Sequence, residues 1–165
     1  NQGHYFNAQD LSKRLTPAGP DHAQVAAAGG MADYVEAVYD HHSDESASLA
    51  EKTKVVGQMQ RAHERNLLEP LLDYLSQNRK VRILGSVNFS ERLPTISLDL
   101  EKPAEPIARS LAHYEIMASG GDFYAIRLLE ALGVKHKNGV LRLSFVHYTN
   151  KEEIDRLLYA LDRVL

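Results

Sequence analysis

The feature of the sequence that most constrains its fold is a change of hydrophobic period near Asn78. Before that point, over 49–77, apolar residues recur at helical spacing. After it come three short segments rich in strand-forming residues, Val81–Leu84, Thr95–Leu100 and Val140–Val146. The alternation within 95–100 is typical of an antiparallel sheet with one covered face. The chain is therefore predicted to combine a long helix with a small sheet.

Further helices are predicted around these strands. The spacing predicts a helix from Asp21 to about residue 40, two more over 103–113 and 123–132, and a last one capped by Asn150. Glu153 occupies the capping-box position of that last helix. One more short strand is expected between the two middle helices. The predicted fold is α+β: a small, mostly antiparallel sheet with helices packed on one face, preceded by a long connector helix.

Composition excludes several classes of protein. The 165 residues carry a net charge of -3, which argues against a nucleic-acid partner. No apolar run approaches the roughly eighteen residues that a membrane span needs, so no membrane partner is expected. The absence of cysteine excludes disulfides, thiolate metal sites and cysteine nucleophiles within this chain. A start at Asn1 without a signal-peptide pattern favours a cytoplasmic protein, or a piece of a longer one.

Two common kinds of catalytic site lack their motifs here. Eight histidines suggest a metal, but His41 and His42 are adjacent and would point to different sides of a helix. His63-Glu64 has no second histidine four residues after the first, so the H-E-x-x-H zinc pattern is absent. The G-x-S-x-G turn of a serine hydrolase is also absent. We therefore predict no metal ligands and no serine nucleophile.

Arg142 is the most informative polar residue, because it lies inside an apolar strand. Arginine is rarely buried unless it is paired. At a strand position facing a cleft, its guanidinium is suited to binding a carboxylate through two parallel hydrogen bonds. Alternation places Arg142 with Ser144, opposite Leu141 and Leu143, so an outward, solvated position is equally compatible with the pattern. The residues alone leave both interpretations open.

Several segments together resemble a known family. Gly121–Ala125, Gly139–Ser144 and His147–Asp155 resemble the C-terminal region of class V aminotransferases, the cysteine-desulfurase-like group of pyridoxal-phosphate enzymes. Leu15–His22 is similar to that group's T-P-x-G-P-x-H segment, which precedes a helix. The resemblance covers nearly the whole chain in the right order, which makes it specific as a set.

The resemblance implies a cofactor, a substrate class and two site residues. Arg142 matches the strand arginine that binds the substrate's α-carboxylate in such enzymes. His22 matches a position in the loop that reaches across the dimer in relatives and contacts the cofactor phosphate. The implied protein is a cytoplasmic homodimer that uses pyridoxal 5'-phosphate and acts on an amino acid. Transamination, lyase chemistry and racemisation are all compatible with this group.

The sequence departs from the family pattern in two ways. Tyr124 stands where the desulfurases have their catalytic cysteine, so desulfuration by thiolate attack is excluded. The lysine that binds the cofactor lies upstream in relatives, and no lysine here has the matching context. The resemblance thus implies that 1–48 is the tail of the large cofactor domain and that 49–165 is the connector helix and small C-terminal domain. Such a chain is expected to be inactive alone and not to bind the cofactor covalently.

A second hypothesis does not involve chemistry. Small α+β domains also serve as non-catalytic ligand-binding or dimerisation modules. This alternative predicts that substitution of Arg142 leaves the activity of a partner protein unchanged.

Overall fold

The chain forms two compact units. In a computed structural model, the residues described are 9–11, 19 and 21–165. The units comprise Asn1–Gln58 and Met59–Leu165, and the division falls within a long helix.

The first unit contains helix α1, His22–His42, and the start of helix α2, Leu49–Gln77. Asp21, where the sequence predicts this helix to begin, caps α1: its Oδ1 accepts hydrogen bonds from the backbone N–H groups of Ala23 and Gln24 at 3.0 and 3.2 Å. Lys52 of α2 donates to Asp40 of α1 at 2.8 Å, which raises the pKa of Lys52. Helices α1 and α2 are thus joined by an ion pair.

Helix α2 continues through Pro70 without ending or restarting. Asn66 and Pro70 in the sequence predict a kink or a restart, because proline has no N–H to donate to the carbonyl four residues earlier. Both residues are exposed, so water can hydrate the Asn66 carbonyl. The opposite side of the helix is buried through Leu68 and Leu71, and this packing keeps the helix in place.

The second unit contains a four-stranded sheet. Its strands are β1, Arg82–Leu84; β2, Thr95–Asp99; β3, Ser119–Gly121; and β4, Val140–Ser144. They lie in the order β1-β2-β4-β3, and every neighbouring pair is antiparallel. The antiparallel sheet predicted from alternation is confirmed.

Three helices cover one face of this sheet. They are the second half of α2, α3 (Ala104–Ala112) and α5 (Lys151–Val164). The core consists of aliphatic side chains from these helices and from β2 and β4: Leu68, Leu71, Leu75, Ile96, Leu98, Leu111, Leu141 and Leu161. This arrangement confirms the predicted α+β fold with helices packed on one face of the sheet.

The short helix α4, Ile126–Ala131, does not contribute to this main core. Its Leu129 forms a second small cluster with Val134 and Val140. Because side chains alternate along a strand, Val140 lies on the opposite face from Leu141. Helix α4 therefore adds partial cover to the second face of the sheet, at the end where β4 begins.

A reciprocal cap begins helix α5, and removing it should destabilise the protein. Asn150 Oδ1 accepts from the Glu153 N–H at 2.9 Å, and the Asn150 N–H donates to Glu153 Oε2 at 2.8 Å. We expect Asn150→Ala to lower the free energy of unfolding by about 1 kcal/mol, measured by urea denaturation. Asn150→Asp is the control, because it keeps the acceptor. An unchanged urea midpoint for Asn150→Ala would contradict this role.

Candidate carboxylate-binding site

Arg142 lies in the middle of β4, on the face opposite the main core. Its neighbours Leu141 and Leu143 are buried, whereas Arg142 is exposed. It is paired in register with Ser97 of β2 and Ser119 of β3. Because paired residues share a face, two small hydroxyl side chains flank the arginine and leave it room.

The Arg142 side chain forms part of the wall of a depression of about 350 Å³, which we call the Arg142 depression. Gly85, Ser97 and Asp122 also line it. Most of its wall is apolar and comes from β1, β4 and the segment 123–132: Leu84, Phe123, Leu128, Leu129, Leu132 and Val140. The sequence left open whether Arg142 points outward from the sheet or faces a cleft. Both descriptions apply, because helix α4 forms one side of a cleft on the outer face of the sheet.

One contact orients the guanidinium group. Arg142 Cζ lies 4.1 Å from the centroid of the Phe123 ring, which is a close cation–π geometry. Within the described part of the chain, no ion pair or hydrogen bond engages the guanidinium. Its N–H donors are thus available to an anionic ligand, while the Phe123 ring lies against the guanidinium carbon.

The loop that carries Phe123 has an unusual backbone. Phe123 and Tyr124 have φ values of 52° and 59°, in the left-handed region that bulky residues rarely adopt. Asp122 Oδ1 accepts from the Tyr124 N–H at 2.9 Å and stabilises this turn. Each such residue costs on the order of 1–3 kcal/mol, and such strain clusters at ligand sites.

This loop also corrects one prediction from the sequence. The helix predicted over 123–132 begins only at Ile126, because Phe123 and Tyr124 cannot be helical at positive φ. Tyr124, which the family resemblance aligns with the desulfurases' cysteine, is fully exposed. The pattern of apolar residues contains no signal for this backbone conformation, so sequence reasoning missed the role of Phe123 beside Arg142.

His22, the residue expected at the cofactor phosphate, lies in the first unit. It is the first residue of α1 and is exposed. The backbone N–H groups of Ala23 and Gln24, which would otherwise attract an anion to this helix end, already donate to Asp21. An anion at His22 would therefore depend on the imidazole itself. Residues 15–18 and 20 of the preceding motif lie outside the described residues.

Three other histidines, His41, His42 and His63, contact neighbouring residues of this chain. His63 Nε2 lies 2.7 Å from the Thr149 carbonyl oxygen, which joins helix α2 to the loop before α5. His41 and His42 contact each other edge to face, at 4.9 Å between ring centroids. Over the described ranges, no group of three or more histidine, cysteine, aspartate or glutamate side chains could hold a metal ion. Nor is any helix within those ranges long and apolar enough to cross a membrane.

Comparison with known proteins gives consistent matches. The family model for class V aminotransferases matches residues 43–157. The aminotransferase-like protein FGM3 of Gibberella zeae is 30% identical over 109 residues, which are 62% of this chain and 27% of FGM3. The cysteine desulfurase CsdA of Escherichia coli is 25% identical with a TM-score of 0.53, over 70% of this chain and 29% of CsdA.

A second solved structure supports the fold. The cysteine desulfurase of Thermococcus onnurineus has a TM-score of 0.60 at 20% identity, over 70% of this chain and 28% of that enzyme. The present chain therefore spans less than a third of the length of each of these relatives. The family model covers well over half of the chain. The chain belongs to the class V aminotransferase family, whose enzymes depend on pyridoxal phosphate.

Proposed function

We propose that this chain is the C-terminal portion of a pyridoxal-phosphate-dependent enzyme that acts on an amino acid. In this proposal, Arg142 binds the substrate's α-carboxylate. The observation that carries it is the Arg142 guanidinium, which faces an apolar depression with no ionic partner among the described residues. Membership of the class V aminotransferase family supports the choice of substrate class.

The local geometry suits a rigid carboxylate clamp. Strand β4 is held on both sides, by β2 and by β3, so the backbone of Arg142 is fixed. The Phe123 ring lies 4.1 Å from the guanidinium carbon and limits the positions open to that group. A carboxylate can then accept two parallel hydrogen bonds, which fixes the orientation of the α-carbon.

The cofactor would be held mainly by residues outside this chain. Pyridoxal phosphate, when bound, acts as the electron sink for bonds at the α-carbon of the substrate. Within this chain, we propose that His22 donates a hydrogen bond to the cofactor phosphate. Residues 1–48 would be the tail of the large cofactor domain, and 49–165 the connector helix and small domain of a homodimer.

Tyr124, in the loop that carries Phe123, bears on which type of reaction the enzyme catalyses. A persulfide-forming desulfurase needs a thiolate nucleophile, and this chain has tyrosine at position 124 and no cysteine within its 165 residues. Two of the solved relatives are cysteine desulfurases, but a shared fold does not by itself fix the reaction. We propose a transamination, lyase or racemisation outcome, with Arg142 positioning the substrate in each case.

Titration with pyridoxal phosphate tests the proposal. When mixed with pyridoxal phosphate, the protein expressed from its complete reading frame should develop a new visible absorption band, because the bound cofactor forms a conjugated adduct. Borohydride reduction and peptide mapping should then place the label on a lysine outside residues 1–165. The 1–165 chain alone should take up no label and show no activity.

Two results would reject the proposal. A label on a lysine within 1–165 would contradict the division between cofactor anchor and substrate clamp. Failure of the complete protein to bind the cofactor would favour the alternative, a non-catalytic ligand-binding or dimerisation module.

A further inference from the structure

We infer that the Arg142 depression selects amino acids with an uncharged, apolar side chain. This inference rests on the proposed function, because it assigns the substrate class of the same site. It follows from the chemistry of the wall beside the carboxylate clamp, which neither family membership nor the match of Arg142 specifies.

The wall offers apolar contact and little else. Helix α4 turns Leu128 towards the depression although this side chain is 59% exposed, and Leu132, just beyond the helix, is 42% exposed. Leu84 of β1 lines the other side. A ligand that covers these side chains would remove apolar surface from water, which contributes about 25 cal/mol per Å². The volume of about 350 Å³ lies in the range of small-ligand sites.

The polar groups of the wall exclude charged side chains. The depression contains one cationic group, that of Arg142, which the α-carboxylate would occupy. A second carboxylate, as in aspartate or glutamate, would meet the Asp122 carboxylate without a cation to offset it. A lysine or arginine side chain would find only the Asp122 carboxylate, which already accepts from the Tyr124 N–H, and would lose hydration against the leucines, which is costly without a full set of partners. An aliphatic or aromatic side chain meets neither penalty.

Carboxylic acids without an amino group test this inference apart from catalysis. We would measure Kd by calorimetry for the complete protein with 4-methylpentanoate, propanoate and pentanedioate, which cannot react at an amino group. We expect 4-methylpentanoate to bind at least about tenfold more tightly than propanoate, because it adds three carbons of apolar contact. Pentanedioate should bind no more tightly than propanoate.

Matched variants test whether the leucines of the Arg142 depression cause the preference for 4-methylpentanoate over propanoate. Leu128→Glu should reduce the advantage of 4-methylpentanoate over propanoate to less than about threefold. Val87→Glu is the control, because Val87 is 58% exposed and lies outside the depression, and it should leave the ratio unchanged. Leu132→Glu repeats the test should Leu128→Glu show a lowered urea midpoint.

The outcomes separate this inference from the proposed function. Equal Kd values for the three acids, each weakened by Arg142→Met, would overturn the apolar preference and keep the carboxylate clamp. Acids that bind equally well to wild type and Arg142→Met would reject the clamp itself. A preference for 4-methylpentanoate that survives both glutamate variants would place the apolar contact elsewhere and overturn the inference.

Discussion

Replacing Arg142 with methionine in the complete protein should weaken amino-acid binding by about 10- to 100-fold. The size follows from losing two hydrogen bonds to a charged group, each contributing roughly 1.5–3 kcal/mol and not fully additive. Methionine keeps the unbranched stem, so the packing of β4 should be retained. The measurement is the Kd of the substrate amino acid by calorimetry, with the urea midpoint recorded in parallel.

A charge-matched variant distinguishes a clamp from a general electrostatic effect. Arg127 is also exposed and lies on helix α4, but it is not part of the wall of the depression. Arg127→Met should change the Kd by less than about twofold, because exposed charges are screened by water and salt. Arg142→Lys should restore only part of the affinity, since an ammonium group cannot form the two parallel bonds. Equal Kd values for Arg142→Met and wild type would contradict the assignment.

The second large effect concerns stability. Gly120→Ala should lower the free energy of unfolding by about 3 kcal/mol, the upper part of the range for overpacked sites. A Cβ at this position would lie 2.5 Å from the Ala104 carbonyl carbon and 2.6 Å from the Glu105 nitrogen. Both are backbone atoms at the start of α3, so relief requires the whole helix to move away from β3. Urea denaturation of the complete protein measures the loss.

Gly57→Ala is the natural comparison for this variant. Gly57 lies inside helix α2, and a Cβ there would meet nothing within 4 Å. Because alanine favours a helix over glycine, this change should stabilise the protein by roughly 0.5–1 kcal/mol. Opposite signs for the two substitutions would tie the effect to the contact between α3 and β3. A wild-type midpoint for Gly120→Ala would mean that α3 does not rest on β3.

Side-chain periodicity predicts the parts of this fold that bury a regular face. Alternation in Thr95–Asp99 and Val140–Ser144 places both strands, and the cap residues Asn150 and Glu153 place the start of α5. Strand β3 is Ser-Gly-Gly and has no apolar pattern, so its position depends on hydrogen bonding to β4. The short strand predicted between the two middle helices is therefore found, but its own side chains do not give its bounds.

The candidate site was partly predictable for a similar reason. Alternation gives the face of Arg142, and the family resemblance gives a hypothesis for its ligand. The contact with Phe123 depends on two consecutive residues at positive φ, a conformation that the tertiary structure imposes against local preference. In the sequence, the leucines of α4 have the spacing of any amphipathic helix. The packing of Leu129 on Val140 in the folded chain brings these leucines beside Arg142.

The lengths of the two edge strands affect how readily this sheet pairs with a strand of another molecule. Strands β1 and β3 form the two edges of the sheet, and each has three residues. Unpaired backbone groups at an edge invite pairing with a strand from another molecule, and short edges present few of them. Arg82 adds an exposed charge to one edge, and glycines leave the other without apolar side chains. The sheet therefore offers a poor template for edge-to-edge aggregation, even while its outer face holds a partly apolar depression.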